Sequence, residues 1–546
     1  MPAKNPNPSL AIPPYVLWMI LLITVLMAYS NVYDNAFLFD DDLLISNNVL
    51  LDGWGWAHLG RLLTASTTEG AHIAGGFYRP VQIFLYFIIN HIAGRSIFAF
   101  HLLNITIHAA NVCLVFALGQ KLRFNKGAAF FAALMWAVHP LHIEAITYIS
   151  ATADTLWLFF ILLGCVVVLP DASPRRVWLA LPVFALGLLS KEATVVFPAL
   201  AVLCLFAVNP SSDDKHRLEW RRYIRTWPFW IMAFVYMAWR LNDDTFDGPK
   251  RYEHLYQLKD YANLKLYADH FTYRLYTFFA TLPAYAELLV WPADLHMERA
   301  FPIYASINAA EVYVGLCMVV AATTQIIMCR GRKFVAFSWG LLWFGAAHFP
   351  DCGLVVPTNS LFLEHWMYLP SVGLFLGGAE TIAIYLDRFK NVYGKKIIAT
   401  LCLVTTLVFG IVTYQQNAVW HDPFSFYGHL FDMHVISARA HNNLALAYAL
   451  KNDNLNAIKE FQKAMDITDT YAETRHNYAI ALMRLPDPES HEADVIANLK
   501  RALEIDPHFY RSMETLAYIY RKNGQTDIAD DYQQRAAIAK QGINQK

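Results

Sequence analysis

Long apolar stretches separated by short polar ones fill the first three quarters of the chain, and the pattern changes near residue 416. The first run, 13–30, is long enough to cross about 30 Å of hydrocarbon as a helix. Ten more follow at 97–119, 127–138, 154–170, 176–190, 192–209, 226–240, 308–329, 334–349, 366–386 and 396–415. About eleven spans are therefore expected, the shorter runs extending into flanking sequence to reach the ~17–25 residues of a span. Residues 1–10 carry one Lys and no small-residue cleavage site follows, so the first helix reads as an uncleaved span rather than a signal peptide. Basic clusters at Lys121/Arg123/Lys126, Arg175/Arg176, 215–225, Arg330/Arg332/Lys333 and 388–396 share one side if the N-terminus is cytoplasmic. The opposite loops, 139–153 and 350–365, hold no Lys or Arg. Two apolar stretches, 81–94 and 267–291, fit this topology as helices lying on or dipping into the non-cytoplasmic face.

Beyond 438 the pattern becomes that of paired amphipathic helices. Asn443-Leu444-Ala445 with Tyr448, Ala457, Phe461 and Ala464 forms one unit. Asn477-Tyr478-Ala479 with Leu482, Ala502 and Pro507 forms a second, and Leu516-Ala517 with Tyr520, Ala529 and Ala536 a third. Leu444 and Tyr478 are 34 residues apart and Tyr478 and Leu516 38, the extra four falling at Pro486-Asp487-Pro488. Small residues where helices cross, with aromatics between, are what stacked tetratricopeptide repeats require. Such an array offers a concave surface for an extended polypeptide, or a purely structural cap. Composition draws the same boundary: 31 of 131 residues over 416–546 are charged, against 56 of the preceding 415. Mean hydropathy is +0.31 and net charge −1, which argues against a wholly soluble protein and a nucleic-acid surface. Seven cysteines without a CxxC pair suggest neither a disulfide framework nor a structural zinc site. The expected fold is all-α: a membrane bundle over 1–415, a linker over 416–437, and a repeat solenoid over 438–546 on the non-cytoplasmic side.

Candidate chemistry sits in the outer loops. Phe37-Leu38-Phe39-Asp40-Asp41-Asp42 follows the first span, within a loop covering 31–80. Adjacent carboxylates at a membrane surface can act as a general base, mutual repulsion and burial raising one pKa toward the useful range. Equally, Asp40 or Asp41 could cap a short helix through Asn47. In Tyr78-Arg79-Pro80, Arg79 either pins a phosphate or anchors a helix by snorkelling. His139, His142 and Glu144 raise a metal site, but Pro140 and the spacing oppose it. Glu144 and Asp154 read better as acceptors for a hydroxylated substrate, as members of an ion-pair network, or as structural acids. Leu189-Ser190-Lys191-Glu192 places charge at a membrane edge: Lys191 faces a lipid phosphate or pairs with Glu192, and Arg240 has comparable readings. Glu364 and His365 need a partner so close to an apolar helix, whereas Trp366 and Tyr368 also fit an interfacial belt. There is no Walker loop, GxGxxG turn or Ser-His-Asp order.

Phe39-Asp40-Asp41, Tyr78-Arg79-Pro80, His139-Pro140 with Glu144 and Asp154, Leu189-Ser190-Lys191-Glu192, and Glu364 with Tyr368-Leu369-Pro370-Ser371 occur in an order that resembles the glycosyltransferase C superfamily. Within it, the chain looks like a bacterial relative of the transmembrane and tetratricopeptide-repeat protein O-mannosyltransferases. The stretch from Trp420 to Asn443-Leu444-Ala445 shares that resemblance. It implies a GT-C-like membrane glycosyltransferase that needs no divalent metal or other cofactor and inverts the anomeric centre. The donor would be a polyprenyl-phosphate sugar, commonly mannose, and the acceptor a Ser or Thr hydroxyl of a polypeptide held by the repeats. Asp40 or Asp41 would be the base. Arg79, Lys191, Arg240 and His365 would contact the donor phosphate, and Glu144, Asp154, Glu364 and Tyr368 the substrates. The chain departs from similar proteins at Thr152-Ala153 and at His365, where they often carry Arg; His365 would make phosphate binding pH-sensitive. The expected location is a bacterial inner membrane with periplasmic repeats, or the endoplasmic reticulum. Other readings are a non-catalytic scaffold recruiting partners through its repeats, a transferase acting on a glycan or lipid, and a lipid-sugar flippase. The clustering of charge at one face, rather than at mid-depth in several helices, disfavours the flippase.

Overall fold

The computed structural model describes residues 13–71, 77–208, 220–241, 262–328, 335–358, 360–388 and 392–544. The start of the chain, the basic cluster at 330–333 and residues 215–219 of the cluster at 215–225 lie outside them. Every regular element among the described residues is helical. The membrane body comprises α1 (Pro14–Ala28), α2 (Trp56–Thr64), α3 (Pro80–Ala93), α4 (Ile97–Lys121), α5 (Lys126–Ala137), α6 (Ile143–Thr147), α7 (Thr152–Val168), α8 (Pro174–Leu188), α9 (Phe197–Ala207), α10 (Trp220–Ile224) and α11 (Trp227–Leu241). It continues with α12 (Ala262–Asp269), α13 (Phe271–Val290), α14 (Ala310–Met328), α15 (Val335–His348), α16 (Pro370–Arg388) and α17 (Val392–Asn417). A bridging helix, α18 (Pro423–Asp432), leads to three hairpins: α19 (Ala438–Leu450) with α20 (Asn454–Ile467), α21 (Ala472–Met483) with α22 (Glu492–Ile505), and α23 (Tyr510–Lys522) with α24 (Thr526–Asn544).

A helix coincides with each of the eleven apolar runs, but among the described residues four segments are both long and apolar enough to cross a bilayer: Ile97–Lys121, Ile149–Val168, Ala310–Met328 and Tyr393–Trp420. A fifth arises if Lys126–Ala137 and Pro140–Thr147, bent by 57°, count as one broken span. Pro14–Ala28, Pro80–Ala93 and Glu192–Ala207 are shorter apolar helices. The protein is thus a membrane protein with several apolar helices and a repeat domain. Its main core joins α1, α4, α5, α7, α8, α9 and α11 to α15 and α16. Helices α15 and α16 approach so closely that a Cβ on Gly340 would lie 2.4 Å from the Gly373 carbonyl oxygen, the small-residue packing that lets membrane helices touch backbone to backbone.

Residues 139–154 form the least regular part of this interior. They run through a one-turn helix at Pro140–His142, α6, and another turn at Ile149–Ala151 before α7 begins. Such backbone leaves carbonyls unpaired, and at membrane depth they need partners from the protein. A polar stripe on α4 supplies them. His101, Asn104, His108 and Asn111 are buried and share one helical face. Asn104 Nδ2 donates to the Ile146 and Tyr148 carbonyls at 3.2 and 3.3 Å, His108 Nε2 to that of Ala137 at 3.0 Å, and Asn111 Nδ2 to that of Thr155 at 2.9 Å. Helix α3 assists: Gln82 Nε2 donates to the Ser150 carbonyl at 2.9 Å and the Tyr86 hydroxyl to that of Ile149 at 2.7 Å.

The 416–437 stretch is itself folded. Asp422 and Ser425 form a reciprocal capping box at the start of α18. Phe426, Tyr427 and Leu430 are buried together with Leu38, Ile143, Tyr148, Trp420, Ala440 and Leu444. One core therefore joins the acidic loop, the 139–154 segment and the first repeat helix.

Candidate active site

The acidic loop leaves α1 through an amide clamp. Asn417 Nδ2 donates to the Ala28 carbonyl at 3.1 Å, Asn35 Nδ2 to that of Asn417 at 3.1 Å, and Ala36 N–H to that of His421 at 2.8 Å. The chain then turns at Phe39, whose φ of +58° is unusual for a residue with a side chain. This turn sends the next two acids to different environments. Asp41 is 1% exposed. Its Oδ2 accepts the Leu38 N–H at 3.0 Å, and its Oδ1 accepts the Ser150 N–H at 2.8 Å and the Ser150 hydroxyl at 2.5 Å. Burial pushes its carboxyl up to about 7, against those hydrogen bonds, with the Asp40 charge adding to the rise. Asp40 is open to solvent on one side. The protein packed behind it still raises its carboxyl; Arg439 and Tyr148 pull it back and Glu298 pushes it up. A short helical turn does follow, at Asp42–Ser46, but no Asp41 side-chain hydrogen bond caps it. The carboxylate points to Ser150 instead, so the capping role expected for it is absent.

Four residues beyond Ser150, Asp154 faces Lys191. Lys191 Nζ lies 2.7 Å from Asp154 Oδ1, 3.6 Å from Asp351 Oδ2 and 5.0 Å from the centre of the Trp157 ring. The Lys191–Glu192 pairing considered from sequence is not formed: Glu192 instead lies 3.5 Å from Arg79. Burial alone would lower the Lys191 ammonium, but Asp154 and Asp351 outweigh it and hold the group above its ordinary range. The fields of Arg79, Lys191 and Arg240, the three expected phosphate-binding cations, all reach Glu192. A backbone bond from Val81 N–H to the Leu189 carbonyl, 3.2 Å, fastens the Arg79 and Lys191 motifs together.

Glu144, at the other end of the irregular segment, grips residue 365 twice. Its Oε1 lies 2.9 Å from His365 Nδ1 and its Oε2 accepts the His365 N–H at 3.1 Å. Burial would lower the His365 imidazole, yet Glu144 and Asp154 raise it overall. Glu364 accepts from His296 N–H at 2.9 Å and from Arg299 at 3.2 Å. Burial, then the Glu144 charge, lift its carboxyl well above the usual range. A small pocket lined by Glu144, His296, Glu364, Gln416 and Trp420 opens beside these groups.

Expected residues thus meet along one segment: Asp41 at Ser150, Lys191 at Asp154 and His365 at Glu144, with Arg79 paired to Glu192, Arg240 5.7 Å from the centre of the neighbouring Tyr78 ring, and Glu364 beside Glu144. Tyr368 does not join them. It is 0% exposed, and its hydroxyl lies 2.7 Å from His108 Nδ1 and 3.3 Å from Asn111 Nδ2 inside the bundle. The ring nitrogens of His139 and His142 are engaged by main chain and by Ser371. Among the described residues, no group of three or more His, Cys, Asp or Glu could hold a metal ion. Sequence reasoning missed Ser150, Arg299 and the α4 stripe. The stripe was detectable as polar residues at 101, 104, 108 and 111 within an apolar run.

Residues 79–238 match the family model described as dolichyl-phosphate-mannose-protein mannosyltransferase, and residues 438–471 that of a tetratricopeptide repeat. Protein O-mannosyl-transferase F38B6.6 of Caenorhabditis elegans is 24% identical over 83% of this chain and 63% of its own length. Human protein O-mannosyl-transferase TMTC4 is 22% identical over 83% of this chain and 66% of its own, and human TMTC3 23% identical over 95% and 60%. The chain therefore spans somewhat under two thirds of the length of these relatives. With charged groups from distant loops gathered beneath a repeat array, this chain resembles the TMTC family of protein O-mannosyl-transferases across most of its length.

Proposed function

We propose that the protein is a GT-C-type membrane enzyme that transfers a mannosyl group from a polyprenyl phosphate to a Ser or Thr hydroxyl of a polypeptide, with inversion. The observation carrying this reading is the spacing of Ser150 and Asp154: one segment holds the acidic turn at the first and the cation cluster at the second. A base and an anion site at opposite ends of one support are what displacement of a phosphate by a hydroxyl requires. Asp40 takes the acceptor proton as the hydroxyl oxygen bonds to the anomeric carbon. The bond from that carbon to the phosphate oxygen breaks, and its electron pair leaves with the lipid phosphate. Lys191, Arg79, Arg240 and His365 meet the charge that grows there, the phosphate competing with Glu192 and Asp351 for them. Side-chain cations fill this role without a divalent metal. Asp40 is the base because solvent reaches it, whereas both Asp41 oxygens are bound; Asp41 fixes the turn. Glu144, Asp154 and Glu364 position sugar and cations, and the repeats raise the local concentration of acceptor. Eleven spans would place the acidic loop, the segment and the repeats on the non-cytoplasmic side, in a bacterial inner membrane or the endoplasmic reticulum.

Purified full-length protein incubated with a panel of polyprenyl-phosphate sugars and a Ser/Thr-rich peptide tests this. Release of polyprenyl phosphate from the mannosyl donor, with an inverted linkage on the peptide, is expected. Turnover of no donor in the panel would overturn the reading.

A further inference from the structure

Arg439 belongs to the repeats, as the second residue of α19, yet it reaches the acidic turn. Its guanidinium carbon lies 4.2 Å from the centre of the Phe39 ring, and its Nε donates to Glu298 Oε1 at 2.6 Å. Its carrier is fixed in place. Ser437 Oγ accepts the Ala440 N–H at 3.1 Å at the start of α19, and Ala440 and Leu444 are buried against Leu38, Tyr148 and Phe426. Phe39 and Glu298 hold φ of +58° and +59°, left-handed conformations that residues with a Cβ seldom adopt. Such turns persist where neighbours over-determine them. A cation held between the Phe39 face and the Glu298 carboxylate restrains both at once.

We propose that Arg439 is a positioning residue for the transfer reaction: held between the Phe39 ring and Glu298, it lets the first repeat helix fix the Phe39–Asp40 turn. The repeat array is then part of the chamber wall as well as a holder of acceptor. This inference rests on Asp40 being the base. The titratable groups acting on Asp40 are Arg439, Tyr148, Glu298 and Asp41, with Asp42 next in the chain. Arg439 opposes the rise of the Asp40 carboxyl and Glu298 adds to it. Removing the cation therefore raises the pH at which Asp40 ionises; removing the Glu298 charge lowers it.

The test uses full-length Arg439→Gln, Arg439→Lys and Glu298→Gln, with Arg521→Gln in the third repeat as control. Turnover of polyprenyl-phosphate mannose with a Ser/Thr peptide is followed against pH, and amide hydrogen exchange is measured over 36–46. Arg439→Gln should move the acid limb up by about one pH unit, lower kcat with the donor KM unchanged, and speed exchange over 36–46. Arg439→Lys should restore most of the limb, Glu298→Gln should move it downward, and Arg521→Gln should do neither. An unmoved limb and unchanged exchange in Arg439→Gln, with active wild type, would overturn the inference and leave the functional reading standing. If wild type turns over no donor, the functional reading fails and with it the pH role. Exchange over 36–46 then still decides whether Arg439 restrains the turn. If Arg439→Gln does not fold, the opposite limb shifts of Arg439→Lys and Glu298→Gln decide; coincident limbs would overturn the inference.

Discussion

Lys191 shows what a buried charge in this site requires. It is 5% exposed, and Asp154 and Asp351 face it. Removing the cation strands two carboxylates in a poorly hydrated interior, a loss of about 3–5 kcal/mol for a buried pair. Lys191→Met should therefore lower the melting temperature sharply, and adding Asp154→Asn should recover part of the loss. Thermal unfolding of both single variants and the double variant measures that coupling; strictly additive losses would mean that the two residues do not interact. Turnover should fall in all three and recover in none, because the phosphate needs the ammonium itself. None of these pairings is visible in sequence. Leu189-Ser190-Lys191-Glu192 reads as a local ion pair, yet Lys191 and Asp154 are 37 positions apart, and only the packing of α7 against α8 and α9 brings them together.

At the scale of elements, the irregular 139–154 segment depends on α4 and α3 for its hydrogen bonds. Asn104→Leu keeps the branching of the side chain but leaves the Ile146 carbonyl without its Asn104 donor and the Tyr148 carbonyl with the Ala151 N–H alone. A cost of about 1–3 kcal/mol per stranded group follows. The variant should melt earlier and transfer more slowly, since Ser150 and Asp154 both ride on that segment; unchanged melting would show that the stripe is not what supports it. Hydrophobic periodicity located the helices well, because each of the eleven apolar runs has a helix over it. It could not show that α5 and the Pro140–Thr147 stretch meet at 57°, nor that α4 turns four polar residues inward. Tyr368 illustrates the difficulty: beside an acidic motif it suggested a ligand contact, but its ring faces His108 and Trp136 in the interior.

Across the whole molecule, the repeats and the membrane body share a core, with Leu38 and Tyr148 on one side and Ala440 and Leu444 on the other. The repeat period was legible from the spacing of Leu444, Tyr478 and Leu516. The joint was not, because α18 and Arg439 act through contacts with residues hundreds of positions earlier. The same geometry separates Asp40 from Asp41, which sequence left equivalent. The most direct measurement compares turnover of polyprenyl-phosphate mannose by wild type, Asp40→Asn and Asp41→Asn across pH, with a melting curve for each. Wild-type turnover should fall as pH drops through the raised Asp40 range, because only the ionised base accepts a proton. Asp40→Asn should lose about 10²-fold or more while melting at the same temperature or slightly higher, since the fold disfavours that ionised group. Asp41→Asn should melt lower by the equivalent of about 1–3 kcal/mol, as an amide N–H replaces an acceptor facing Leu38 or Ser150. Wild-type turnover by Asp40→Asn would contradict the account.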